Sequence, residues 1–104
     1  MENTNAIKAL VIVPSDYPKD RDIAKSISEL VRKYGGFCCH TSSPTMKFDS
    51  IEKRHQERIR AALKNGTKVY AFSASSELVQ MGIIQMGNMR FKGTERLEAA
   101  ISAN

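Results

Sequence analysis

The sequence predicts a three-layer α/β/α protein on a mostly parallel sheet of four to five strands. Two observations predict it. Short apolar runs rich in β-branched residues alternate with stretches whose apolar residues recur every three or four positions, in the order βαβαβαβα. Turn and capping residues separate each run from the next stretch, which is the alternation that a doubly wound sheet with helices on both faces requires. A length of 104 residues accommodates one such domain over 1–104 and no second core.

Taken in order, residues 1–5 are polar and are expected to be disordered. Residues 7–13 form a near-continuous apolar run, the signature of a strand buried on both faces, and Pro14 and Ser15 end it. Pro18 fits the first turn of a helix, and Asp16, Asp20 and Asp22 suit its positive end. Ile23, Ile27, Leu30, Val31 and Tyr34 make one stripe along that helix; Arg32 and Lys33 occupy its last turn, and Gly35-Gly36 stops it. Residues 37–41 read as the second strand and 42–48, containing Pro44, as a loop. Asp49 or Ser50 caps the next helix, which carries Ile51, His55, Ile59, Ala62 and Leu63 to Asn65-Gly66. Residues 67–72 are a third strand. Ser76 caps a short helix over 77–81, Gly82 follows, and 83–86 is a fourth strand. Gly87-Asn88-Met89 turns the chain, and Thr94 caps a last helix in which Leu97, Ala100 and Ile101 share a face.

The net charge of +5 permits an anionic partner, since clustered Lys and Arg release counterions from phosphates, and it also serves solubility. No apolar run reaches the length of a membrane span, so no membrane partner is expected. The run at 7–13 is too short for a signal-peptide core and contains Lys8. With only two cysteines, adjacent at 38 and 39, a secreted disulfide framework is excluded, and a reducing cytoplasm is the expected compartment.

Candidate chemistry is sparse. Cys38 and Cys39, followed by His40, are the reactive-looking thiols, but neighbours in a strand point to opposite faces. A thiolate also needs a nearby cation or helix N-terminus. Recognisable spacing for further ligands is missing, so no metal and no cofactor are expected. His55 is in register with Ile51 and Ile59, as a core or interface histidine would be. Lys53, Arg54, Arg58, Arg60 and Lys64 make the second helix basic, with Glu52 and Glu57 interleaved and Glu57 placed to pair with Lys53, Arg54 or Arg60. A phosphate-binding patch requires these cations to join Lys47, Arg90 and Lys92. Glycine-rich phosphate loops are absent, although Ser15 and the helix start after it can hold an anion through backbone N–H groups. Met81, Met86, Met89 and Phe91 fit a contact surface and a core equally well.

The run Leu63-Lys64-Asn65-Gly66-Thr67-Lys68-Val69-Tyr70-Ala71, followed by Ser75 and Met81-Gly82-Ile83, resembles the DsrE/TusD-like sulfur-relay family. Gln85-Met86-Gly87-Asn88-Met89 is similar to that family's glycine-containing stretch before the last helix, so the resemblance is specific over 62–101. It implies a flavodoxin-like or DsrE-like fold and a homo-oligomer, trimer or hexamer, or an assembly with related subunits. It also implies a ligand cleft near Ser15, Phe72, Ser73 and Ser75. Where active members carry the sulfur-accepting cysteine, this chain has Phe72 with Ser73 beside it, and neither holds a persulfide. Cys38 and Cys39 end a different strand and do not take the role. The expectation is therefore a non-catalytic DsrE-like subunit or small binding module, associated with sulfur transfer through a partner. The residues alone also support a different class, a small basic nucleic-acid- or nucleotide-binding domain using the second helix and Arg90-Phe91-Lys92.

Overall fold

A computed structural model describes residues 8–14, 19–43 and 45–103. The expectations for residues 1–5, Ile7, Ser15, Asp16, Pro18 and Pro44 lie outside the described residues. Four strands, β1 (Ala9–Pro14), β2 (Phe37–Thr41), β3 (Lys68–Phe72) and β4 (Ile84–Gly87), form one sheet in the order β2-β1-β3-β4, and every pairing is parallel. Between them run α1 (Arg21–Lys33), α2 (Lys53–Lys64), the single turn α3 (Ser76–Gln80) and α4 (Gly93–Ser102), with a 3-10 turn over Phe48–Ser50. The winding changes direction between β1 and β3, which sends the helices to both faces.

The strand pleat sorts the core. Ala9, Val11 and Val13 of β1 and Tyr70 and Phe72 of β3 face α1 and α4, packing with Ile27, Val31, Leu97 and Ile101. The alternate residues Leu10, Ile12, Val69 and Ala71 face α2 and α3, packing with Ile59, Ala62 and Leu78. This is the three-layer α/β/α arrangement, with β1 and β3 buried almost throughout. Among the described residues no helix is long and apolar enough to cross a membrane.

Several boundaries differ from the expectation. The first strand ends one residue later, on Pro14 opposite Thr41, beyond Ile12, the last β1 residue paired with β3. The second helix starts at Lys53 and not beside Asp49 or Ser50, because Ile51 is extended at φ −82° and breaks it from the preceding turn. Ser75 and not Ser76 caps α3, its hydroxyl accepting from the Leu78 N–H at 3.4 Å. Thr94 lies inside α4, whose cap position holds Lys92 in the left-handed conformation at φ 53°. Met86 and Met89 are core residues on the α1/α4 face, while Phe91 is 69 % exposed.

Candidate functional site

Doubly wound sheets place their sites at the carboxyl ends of the strands, where the winding reverses. In this chain that edge gathers the end of β1, Asp20 before α1, the turn from Ser73 to Ser75, and the β4–α4 loop over 88–92. Ser15 lies outside the described residues.

The turn after β3 is built by Gln85. The register between β3 and β4 slips after Ala71, so that Phe72 lies opposite Gly87. The Gln85 amide fills the gap: Oε1 accepts from the Ala74 N–H at 3.1 Å and the Gly87 N–H at 2.8 Å, and Nε2 donates to the Ala74 carbonyl at 2.6 Å. The Ser73 N–H in turn donates to the Gly87 carbonyl at 2.8 Å. These bonds fix Ser73 in the left-handed region at φ 57°, an uncommon conformation for a residue with a Cβ. Ser73 is exposed at this edge, and the Ser75 hydroxyl is occupied as the α3 cap.

Phe72 has a different place from the one expected of a cleft residue. Its side chain is fully enclosed on the α1/α4 face and floors the α4 start, where a Cβ on Gly93 would meet Phe72 Cε1 at 3.2 Å. The ring therefore does not line an open cleft. A β-strand alternates its faces, and position 72 falls on the buried one.

Two arginines organise the opposite lip. Arg90 Nε donates to Asp20 Oδ1 at 2.6 Å and its Nη2 to Oδ2 at 3.1 Å, a forked pair between residues seventy apart on a carboxylate that is almost wholly buried. Arg96 donates to the carbonyls of Met86, Asn88 and Phe91, the last two at 2.7 and 2.9 Å from Nη2, and so holds the β4–α4 loop closed on itself. Beside this loop lies a cavity of about 260 Å³ lined by Ile23, Met89, Arg90, Lys92, Thr94 and Glu95, together with Gly93.

The thiols are separated and quiet. Cys38 is half-buried against the α1/α4 core and Cys39 is buried toward α2, so they cannot act together. Burial, reinforced by the neighbouring Cys39, pushes the Cys38 thiol up to about 12 against a weaker pull from Arg32. Burial also pushes Cys39 up to about 11, with Arg58 and Arg54 opposing and Glu52 adding to the rise. Neither supplies thiolate near neutrality. His55 is buried in α2 as its spacing implies: Nε2 donates to the His40 carbonyl at 3.2 Å, and Nδ1 is enclosed without a hydrogen-bond partner among the described residues. Burial, with a smaller contribution from His55, lowers the pKa of His40. Thr41 Oγ1 donates to Glu52 at 2.7 Å, the main reason that this carboxyl sits below its ordinary value.

The basic residues do not form one patch. Lys53, Arg54, Arg58 and Arg60 lie exposed on α2, over the α2/α3 face, whereas Arg90 and Lys92 border the cavity beside α1 and α4. The Arg58 guanidinium stacks 4.1 Å from the Phe37 ring centre and that of Arg60 4.7 Å from Phe48. The expected pairing of Glu57 with Lys53, Arg54 or Arg60 is not formed: among the described residues no α2 side chain enters an ion pair. No group of three or more His, Cys, Asp or Glu among the described residues is placed to hold a metal ion.

Sequence reasoning named Ser73, Ser75, Arg90 and Lys92 but missed Gln85, Arg96 and the Asp20 partnership. Gln85 and Arg96 act on backbone groups, which leave no trace in residue spacing. No protein-family model matches the chain, and comparison with curated proteins and with solved structures finds no match.

Proposed function

We propose that this chain is a non-catalytic binding module, a DsrE-like subunit that holds a small anion or a partner at the carboxyl edge of its sheet and works in a homo-oligomer or with related subunits. The carrying observation is the enclosure of Phe72 where a sulfur-accepting thiol would stand, beside a turn whose Ala74 backbone groups and Ser75 hydroxyl are bonded within the protein. The parallel adjacency of β3 and β4 and the resemblance over 62–101 support the family part of the reading. The cavity bordered by Arg90, Lys92 and the first turn of α4 supports a small anionic ligand, since the helix dipole favours negative charge there, with the Glu95 carboxylate on the same lining opposing it. The compartment we infer is a reducing cytoplasm, because adjacent cysteines on opposite sheet faces do not bridge.

The test has two arms. Incubation with a persulfide donor followed by intact-mass measurement is expected to leave Cys38 and Cys39 unloaded, and stoichiometric persulfide on either thiol would overturn the non-catalytic reading. Titration with inorganic phosphate or thiosulfate, followed by amide chemical shifts, is expected to move residues 73–76 and 88–95 together. Shifts scattered elsewhere, or none, would remove the edge site. Light scattering then reports the assembly, with a trimer or hexamer expected and a monomer counting against it.

A further inference from the structure

We propose that the outer face of α2 is a docking surface for the phosphate backbone of nucleic acid, a role independent of the edge site above. Residues 53–64 contain Lys53, Arg54, Arg58, Arg60 and Lys64 against the single carboxylate of Glu57, so this one helix carries four of the chain's five surplus positive charges. All six side chains are exposed, while His55, Ile59 and Ala62 anchor the opposite face on the sheet. At about 100° per residue, Lys53, Arg60 and Lys64 fall in one row and Arg54 and Arg58 in a second, with Glu57 and Ala61 between them.

Among the described residues no α2 side chain enters an ion pair, so of the helix's own groups the five cations are opposed by the single nearby charge of Glu57. The pairs Arg54/Arg58 and Arg60/Lys64 stand four residues apart, the spacing at which like charges destabilise a helix. The isolated chain retains that repulsion, and a polyanion lying along the helix relieves it. Two of the cations are also held in place beforehand, by stacking of Arg58 on Phe37 and of Arg60 on Phe48.

The same face discriminates between anionic partners. A protein interface needs a buried aromatic or aliphatic anchor, and a membrane surface needs an apolar face to insert. The largest apolar side chain exposed on α2 is Ala61, and the exposed large hydrophobic residues, Val79, Ile84 and Phe91, all lie on other elements. Phosphate-backbone binding requires charge alone. A helix of this length is about 18 Å long, and about five phosphates of one strand at ~3.4 Å spacing pass along it.

Fluorescence anisotropy with a labelled 20-nucleotide single strand and a 20-base-pair duplex tests the proposal across a salt series. Binding is expected to weaken steeply with salt, with a slope of log affinity against log salt of about −3 to −4. The variant Lys53→Gln/Arg54→Gln/Lys64→Gln, which spares both stacked arginines, is expected to lose at least about tenfold in affinity and to flatten the slope by about two to three. Glu57→Gln, which removes the only carboxylate on the face, is expected to bind about threefold tighter, and it stands as the test should the triple variant fail to fold. Lys19→Gln/Lys25→Gln at α1 is the control and should change affinity less than about twofold. Absence of binding at about 20 mM salt overturns the proposal, as does binding that neither α2 variant alters. Stronger capture by polyglutamate, or by phosphatidylserine vesicles, would overturn it in favour of a protein or membrane partner.

Discussion

Gln85 stands on a sheet edge with an exposed side chain, yet its amide makes three hydrogen bonds to backbone groups of the β3–α3 turn and the β4 irregularity. Replacement by leucine leaves the Ala74 and Gly87 N–H groups and the Ala74 carbonyl to water. Gln85→Leu is expected to lower stability by about 1–3 kcal/mol, read from urea denaturation midpoints. Gln85→Glu keeps the two acceptor bonds but sets a carboxylate against the Ala74 carbonyl, and it should fall between leucine and wild type. Equal midpoints for all three proteins would show that the turn is held by its backbone bonds alone. The thiols carry a second prediction. Because burial holds both thiols above their ordinary range, to about 12 and about 11, the folded chain keeps protons that the unfolded chain releases from about pH 9 upward. Their contribution to stability is therefore complete below about pH 9 and declines as pH rises toward 11 to 12. Cys38→Ala should flatten that alkaline decline in thermal melts. Iodoacetamide should label native Cys38 and Cys39 slowly at pH 7, and fast alkylation of one of them would contradict the burial argument.

At the scale of elements, the Asp20–Arg90 fork ties the entry of α1 to the β4–α4 loop, two segments that share no strand pairing. A guanidinium donating twice to one carboxylate is geometrically specific, and Lys cannot reproduce the fork. A double-mutant cycle on Asp20→Asn and Arg90→Lys is expected to give a coupling energy of about 1–2 kcal/mol. A coupling near zero would assign the loop's position to Arg96 alone. This tie also marks how far the elements were legible. The stripe of Ile23, Ile27, Leu30 and Val31 and the stop at Gly35-Gly36 located α1 to within a few residues, because amphipathic spacing and a glycine pair are local signals. Gly36 has a further reason that only the fold reveals: a Cβ there would stand 2.7 Å from the Ala9 carbonyl oxygen. The helix starts were legible only in type. Asp20 sits at the α1 cap position but gives its carboxylate to Arg90, and Glu52 at the α2 cap accepts from Thr41. Capping residues with long-range partners cannot be told from capping residues by sequence spacing. At the carboxyl edge, the strand–turn–helix order was enough to put the turn over Ser73 to Ser75 between β3 and α3. The inward direction of Phe72 became fixed only once β3 had a register with β1.

The whole molecule is two cores separated by one sheet. Ile27 of α1 lies in the core shared with α4, and Ile59 of α2 lies in the core shared with α3; both are fully buried, in separate clusters on the two sides of the sheet. In a chain of 104 residues neither core is large enough to be stable alone, since total stability is typically about 5–15 kcal/mol and each face depends on the sheet being formed by the other. Ile27→Val and Ile59→Val should therefore each cost about 0.5–1.5 kcal/mol, the usual loss for one buried methyl group. Their costs should add within about 0.5 kcal/mol in the double variant, because side chains on opposite faces share no cavity. Unfolding should remain a single transition by circular dichroism and by tyrosine fluorescence, whose three reporters include Tyr70 in the α1/α4 core and Tyr34 packed against it. If the two probes separate in the Ile59→Val variant, the α2/α3 layer melts on its own. The proposed nucleic-acid face of α2 would then belong to a detachable layer and not to a rigid platform.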